Sequence, residues 1–150
     1  MEEIHILFTG AGRRIELINA FREAALVLNK NLKIYGSDMI LTAPSLAYCD
    51  FARQTVSMHS PAYINNLIDV CKKDRIDLVI PTIDTDLLVL SENKARFDAV
   101  GTKVMVSSPD MIRVCRDKNN TFKFFDRCGL KSPMPADNWR KYKLGYPAFI

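Results

Sequence analysis

The sequence predicts an α/β fold: a doubly wound, Rossmann-like parallel sheet of about five strands with helices on both faces. Three observations carry this. Short apolar runs alternate with stretches whose apolar residues recur at helical spacing. The first run ends on a glycine turn, Thr9-Gly10-Ala11-Gly12, that leads directly into such a stretch. Ser60-Pro61 and Ser108-Pro109 each supply a helix-start signal, a capping serine followed by a first-turn proline. Strands that alternate with helices need crossover connections, and a parallel sheet covered on both faces satisfies them.

Ile4-His5-Ile6-Leu7-Phe8 is a nearly continuous apolar run, as expected of a strand buried on both faces. From Arg13 to Leu28 the period changes, and Leu17, Ile18, Phe21, Ala25 and Leu28 form a helical stripe. Lys33 to Ser37 reads as the second strand, Gln54 to Ser57 as a weaker third, Asp77 to Ile80 as a strong fourth and Thr102 to Val106 as the fifth. Ser60 caps a helix carrying Ile64, Leu67, Ile68 and Cys71 on one face. The helix after the fourth strand presents Leu87, Leu90 and Phe97, and a later pair of amphipathic stretches flanks Asp117-Lys118.

The chain has 150 residues, 48% hydrophobic and 25% charged, a composition that excludes disorder and fibrous repeats. A domain of this length buries about two-thirds of its unfolded surface, enough for a core without metal or disulfide staples. No apolar run reaches the length of a membrane span, and Met1 to Phe8 lacks the basic start of a signal peptide, so the expectation is a soluble, cytoplasmic protein with no membrane partner. Cys49, Cys71, Cys115 and Cys128 form no CxxC pair and have no histidine at ligand spacing. They read as reduced core thiols, with no metal site.

The formal charge is +4, and Lys131, Arg140, Lys141 and Lys143 against Asp137 alone supply most of it. The nearly neutral remainder shows no basic stripe with stacking aromatics, which argues against a nucleic-acid partner. Pro133, Pro135 and Pro147 fall in the last 18 residues, and Lys131 to Asp137 has linker composition. The chain then returns to apolar residues at Tyr146-Pro147-Ala148-Phe149-Ile150. The expected organisation is a domain over 1–130, followed over 131–150 by a linker and the truncated start of a second domain, all cut from a longer chain.

Candidate chemistry gathers at strand ends. In the turn Gly10 to Arg14, two glycines let a ligand approach the backbone, and the following helix start favours an anion; Arg13 and Arg14 add positive charge there. The same glycines equally serve a tight turn without a ligand. A dinucleotide fingerprint needs a third glycine at position 15, which is Ile15, although Asp38 stands where such a protein places its ribose acid. Asp38 otherwise opens a loop. An NAD(P)-binding oxidoreductase is thus an alternative reading, and a non-enzymatic binding or scaffold domain is another. Pro81-Thr82-Ile83-Asp84-Thr85-Asp86 follows the fourth strand, where open parallel sheets hold ligands. Asp84 also suits a helix N-cap and Asp86 a first-turn acid. Asp117-Lys118 alone says nothing beyond solvated charge at a helix start.

In order, Gly10-Ala11-Gly12-Arg13-Arg14, Pro81-Thr82-Ile83-Asp84, Leu90-Ser91-Glu92-Asn93 with Phe97, Gly101, Ser108-Pro109, Asp117-Lys118, Cys128-Gly129-Leu130 with Pro133, and Tyr146 to Ile150 run through nearly the whole chain. The series resembles the N-terminal, pre-ATP-grasp domain of ATP-grasp ligases, the group that includes biotin carboxylase, the carbamoyl-phosphate synthase large subunit and D-alanine:D-alanine ligase. The resemblance implies a parent enzyme that uses ATP and Mg²⁺ to activate a carboxylate or bicarbonate as an acyl phosphate, which a nucleophile, usually an amine, displaces. It implies that Lys118 reaches toward the nucleotide, and that Gly10, Gly12, Arg13, Arg14, Asp84 and Asp86 face the acceptor substrate. It assigns no catalytic residue. It further implies that the ATP-grasp domain, a partner within the same chain, carries the metal ligands, so that the fragment alone is inactive. Lysine at 118, where carbamoyl-phosphate synthases tend to carry arginine, and a single copy of the module make a stand-alone carboxylate-amine ligase an equal fit. A homodimer is compatible with all of this.

Overall fold

The computed structural model describes residues 3–133. The chain divides into two compact units, Met1–Pro109 and the residues from Asp110 onward. The first holds a five-stranded parallel sheet: β1 (Glu3–Thr9), β2 (Asn31–Asp38), β3 (Phe51–Gln54), β4 (Leu78–Pro81) and β5 (Lys103–Val104), in the spatial order β3-β2-β1-β4-β5. Crossovers run through α1 (Ile15–Val27), a short 3-10 helix at Pro44–Tyr48, α2 (Tyr63–Asp74), and the pair α3 (Asp84–Glu92) and α4 (Lys94–Asp98). This is the predicted doubly wound α/β architecture.

Alternation along the central strands builds two cores. Ile6, Phe8, Ile34 and Ile80 point to one face, where they pack with Ala11, Ile18 and Leu46. Leu7, Tyr35 and Val79 point to the other, against Tyr63, Ile64, Leu67, Ile68 and Cys71 of α2, Leu90 of α3 and Phe97 of α4. Because side chains of a strand alternate faces and crossover helices cover both, the central strands carry no polar face, which is why they read as continuous apolar runs.

Several expectations are corrected. The third strand lies at Phe51–Gln54, ahead of the predicted Gln54 to Ser57, because pairing with Tyr35 to Asp38 of β2 selects its register. On α1 only Ile18 is buried; Phe21 meets Phe8 edge-on at 5.2 Å between ring centroids, whereas Leu17 and Leu28 are exposed. The 3-10 helix shares the cover of that face through Leu46, so α1 contributes a narrower contact than its apolar stripe suggests. Ser60 holds the turn ahead of α2, its hydroxyl accepting from Ala62 N, and the helix itself begins at Tyr63. The single helix expected to carry both Leu90 and Phe97 is broken at Asn93 into α3 and α4. Of the four free cysteines, Cys71 is buried and Cys49 half-buried, but Cys115 and Cys128 are exposed, so the core-thiol expectation fails for those two.

The second unit contains α5 (Pro109–Arg116) and α6 (Lys118–Arg127). Asp117 caps α6, its Oδ1 accepting from Asn120 N at 2.9 Å. The expected linker begins inside this unit, and its 134–150 portion, with Tyr146 to Ile150, lies outside the described residues. Among the described residues no helix is long and apolar enough to cross a membrane.

Candidate functional site

The strand order reverses between β1 and β4: from β1 the chain winds outward to β2 and β3, then returns to place β4 and β5 on the other side. In open parallel sheets the connections diverge at such a point and leave a crevice at the carboxyl ends of the strands. Its two lips are the Gly10 to Arg14 turn after β1 and the Thr82 to Asp86 loop after β4, so the topology brings together the two segments singled out in the sequence.

Backbone and side-chain bonds stitch the lips together. Thr82 N donates to Thr9 O at 3.2 Å, and Thr82 Oγ1 donates to Thr9 O at 3.0 Å and Gly10 O at 2.7 Å. Arg14 Nη2 crosses to donate to Thr82 O at 3.2 Å. Gly10 has φ +57°, and a Cβ there would lie 2.6 Å from Ile83 Cδ1, so this glycine serves both the left-handed turn and the close packing of the opposite lip. Gly12 is also left-handed, at φ +52°, but a Cβ on it would meet only Gly10 O, at 3.5 Å.

The polar groups of the turn are largely engaged. Ala11 N donates to Ser37 O and Arg14 N to Ala11 O, each at 3.0 Å, while Gly12 O accepts from Ser45 N at 3.1 Å. Gly12 N donates to Asp38 Oδ2 at 3.0 Å, and Asp38 Oδ1 accepts from Ile40 N at 3.2 Å. Asp38 therefore opens the β2 loop and at the same time ties it to the glycine turn. Arg13 and Arg14 are exposed.

On the other lip Asp84 is exposed in the first turn of α3, and extended Ile83, not Asp84, occupies the N-cap. Asp86, expected as a first-turn acid that faces the acceptor, is instead completely buried and so presents no carboxylate to a ligand in the crevice. Tyr63 at the start of α2 donates its hydroxyl to Asp86 Oδ2 at 2.9 Å. Burial pushes the Asp86 carboxyl up, the hydroxyls of Thr9 and Tyr63 pull it partly back, and the negative charge of Asp38 adds to the rise. Burial and Asp86 also push the Tyr63 phenol far up, so it stays a donor. The Thr9 hydroxyl is near enough to favour the carboxylate, yet Thr9 Oγ1 and Asp86 Oδ1 do not complete a hydrogen bond and neither has another partner.

Thr9 and Tyr63 were not legible as site residues. Tyr63 reaches Asp86 across 23 positions of sequence, and no local motif announces such a contact. Lys118, the predicted nucleotide-facing residue, is the exposed first residue of α6 in the second unit. Among the described residues no group of three His, Cys, Asp or Glu side chains is placed to hold a metal ion.

Residues 6–105 match the family model "PylC-like, N-terminal domain". No curated protein sequence is similar enough to match the chain. Among solved structures, the biotin carboxylase domain of a single-chain bacterial carboxylase is similar at TM-score 0.55 and 18% identity, covering 90% of this chain and 31% of its own. Multifunctional pyruvate carboxylase from Rhizobium etli is similar at TM-score 0.56 and 17% identity, over 91% of this chain and 13% of its own. The biotin carboxylase domain dimer of Hydrogenobacter thermophilus 2-oxoglutarate carboxylase, described in complex with MgADP, ADP and bicarbonate, gives TM-score 0.57 and 14% identity, over 86% of this chain and 28% of its own. The chain thus spans less than a third of each of these structures, and at such identities the likeness is one of fold. With two-thirds of its length matched by the family model, the chain belongs to the PylC-like N-terminal domains, a pre-ATP-grasp domain.

Proposed function

We propose that this chain is the substrate-side domain of an ATP-dependent carboxylate-amine ligase or carbamoyl-phosphate synthase-like enzyme, and that the crevice between β1 and β4 faces the acceptor. The observation that supports this most is the stitching of the Gly10 to Arg14 turn to the Thr82 to Asp86 loop at the point where the strand order reverses. In such an enzyme ATP with Mg²⁺ supplies the phosphoryl group that activates a carboxylate or bicarbonate, and an amine then displaces the phosphate.

This chain's part is positioning. Arg14, anchored on Thr82 O, keeps guanidinium N–H groups free for an acceptor carboxylate, and Arg13 adds a second cation beside it. Gly10 and Gly12 shape the turn that carries them, and buried Asp86 fixes the base of the opposite lip, whose exposed acid is Asp84. Lys118 is assigned to the nucleotide side. The described residues lack a carboxylate cluster for Mg²⁺, so the metal is assigned to the ATP-grasp domain, which is the partner within the same chain. A second copy is a further partner, as the 2-oxoglutarate carboxylase domain is described as a dimer.

The test is a kinetic split in the full-length parent, assayed by ADP release with bicarbonate or amino-acid carboxylates as acceptors. Arg14→Ala should raise the KM for the acceptor roughly tenfold or more, the value of one charge-assisted pair, and leave the KM for ATP unchanged. The reverse pattern is expected of Lys118→Ala. An Arg14→Ala enzyme with an unchanged acceptor KM contradicts the assignment.

A further inference from the structure

The Gly12 backbone amide of this turn is already taken by one of the protein's own carboxylates. Gly12 is left-handed and carries no side chain, and its Cβ direction is nearly free of neighbours, so an outside ligand would have room to approach its N–H. That N–H is instead bonded to Asp38 Oδ2, 26 residues away. The second carboxylate oxygen is held by Ile40 N, which fixes the group in place from the β2 side. Ala11 N, just before Gly12, is spent on Ser37 O, and Arg14 N, two residues after it, on Ala11 O. Asp38 is close enough to Asp86 and Tyr63 to raise the affinity of both for protons, so its negative charge is felt at the base of the opposite lip.

We propose that Asp38 is a specificity-determining residue: its carboxylate occupies the Gly12 amide of the glycine turn and so closes that amide to phosphate, leaving Arg13 and Arg14 to receive the acceptor. A phosphate or pyrophosphate seated on the Gly12 amide would have to break its hydrogen bond to Asp38 and sit beside a like charge. A small carboxylate held by the guanidinium groups has neither requirement. The same contact turns an acid that in a dinucleotide site would face a ribose back onto the turn itself. The inference deepens the acceptor-side reading and rests on it for the identity of the admitted ligand, but the closure of the turn is testable by itself.

The experiment is a titration of the ¹⁵N-labelled 150-residue chain with inorganic phosphate, followed at the Gly12 amide resonance. In the wild type Gly12 should not move up to tens of millimolar phosphate. In Asp38→Ala, and in Asp38→Ser as the second variant, side chains too short to reach Gly12 should let its resonance shift saturably, with apparent affinity raised roughly tenfold or more, the value of one hydrogen bond to a charged group. A saturable Gly12 shift in the wild type overturns the proposal, and so does a folded Asp38→Ala or Asp38→Ser chain that gains nothing. If neither variant folds, the wild-type titration decides. None of these results bears on the kinetic split of Arg14→Ala and Lys118→Ala, so failure here and failure of the acceptor-side reading are distinguishable.

Discussion

Tyr63 and Asp86 meet through a 2.9 Å hydrogen bond between the first turns of two helices, at a point where Asp86 has no solvent exposure. Thr9, the last residue of β1, is buried beside them, so the contact ties both helix starts to the strand that opens the crevice.

Asp86→Leu removes the acceptor and leaves the Tyr63 hydroxyl buried and unpaired, which should cost about 1–3 kcal/mol in urea unfolding. Asp86→Asn keeps an acceptor oxygen and should cost less. The folded Asp86 carboxyl is raised above its ordinary 3.8, so its contribution to stability is fully present below that value and is lost as pH rises through the raised one. Wild-type stability relative to Asp86→Asn should therefore decline with rising pH across that window. A difference that is flat or grows with pH contradicts the assignment.

Gly10 and Ile83 form a second coupled pair. Gly10→Ala incurs about 1–2 kcal/mol of left-handed backbone strain, and a further cost of about 1–3 kcal/mol from overpacking against Ile83. In an Ile83→Ala background the overpacking cost should vanish and only the backbone strain remain. A double-mutant cycle by thermal or urea unfolding reads this directly, and additive costs would show that the two residues do not press on each other.

How far the sequence carried is best seen at particular residues. The apolar runs of β1 and β4 were legible because both faces of a central parallel strand are covered, and Ile64, Leu67, Ile68 and Cys71 were legible because one buried helix face leaves a 3.6 period. The edge strand β3 was misplaced because Thr55-Val56-Ser57 has the β-branched look of a strand, while Phe51–Gln54 is selected by pairing with β2. Asp38 was legible as a loop opener; its bond to Gly12 was not, since it depends on where β2 lies beside β1. For the same reason Asp86 read as a first-turn acid facing the acceptor and gave no sign of its burial against Tyr63.

His5 offers a separate pH test. Its Nδ1 lies 2.7 Å from Asp74 O and its Nε2 2.8 Å from Glu3 Oε1, so both ring nitrogens face acceptors and the doubly protonated ring satisfies both. Burial pulls its pKa down, but the Asp74 carbonyl, Glu3 and Asp77 outweigh it and hold the ring above the ordinary 6.5. The stabilisation is fully present below 6.5 and is lost as pH rises through the folded value. His5→Gln should remove this pH dependence from chemical unfolding measured between about pH 6 and 8, the range in which histidine titrates. A wild-type slope unchanged in the variant would place the titrating group elsewhere.

The cysteines should react in two classes. Burial pushes the Cys49 and Cys71 thiols to about 11, whereas Cys115 and Cys128 are exposed. A thiol-disulfide reagent applied to the native chain at neutral pH should modify Cys115 and Cys128 rapidly, and the other two only on unfolding, as mapped by peptide mass. Rapid modification of Cys71 would mean that the α2 core opens.

The assignment of this chain to the acceptor side, with the nucleotide clamp and metal ligands elsewhere, is tested most directly by a coupled ADP-release assay on the purified 150-residue chain with ATP, Mg²⁺ and bicarbonate. The expected result is no release above the protein-free control. Mg²⁺-dependent ADP release that Lys118→Ala abolishes would contradict it, because the chain would then hold a complete phosphoryl-transfer site of its own.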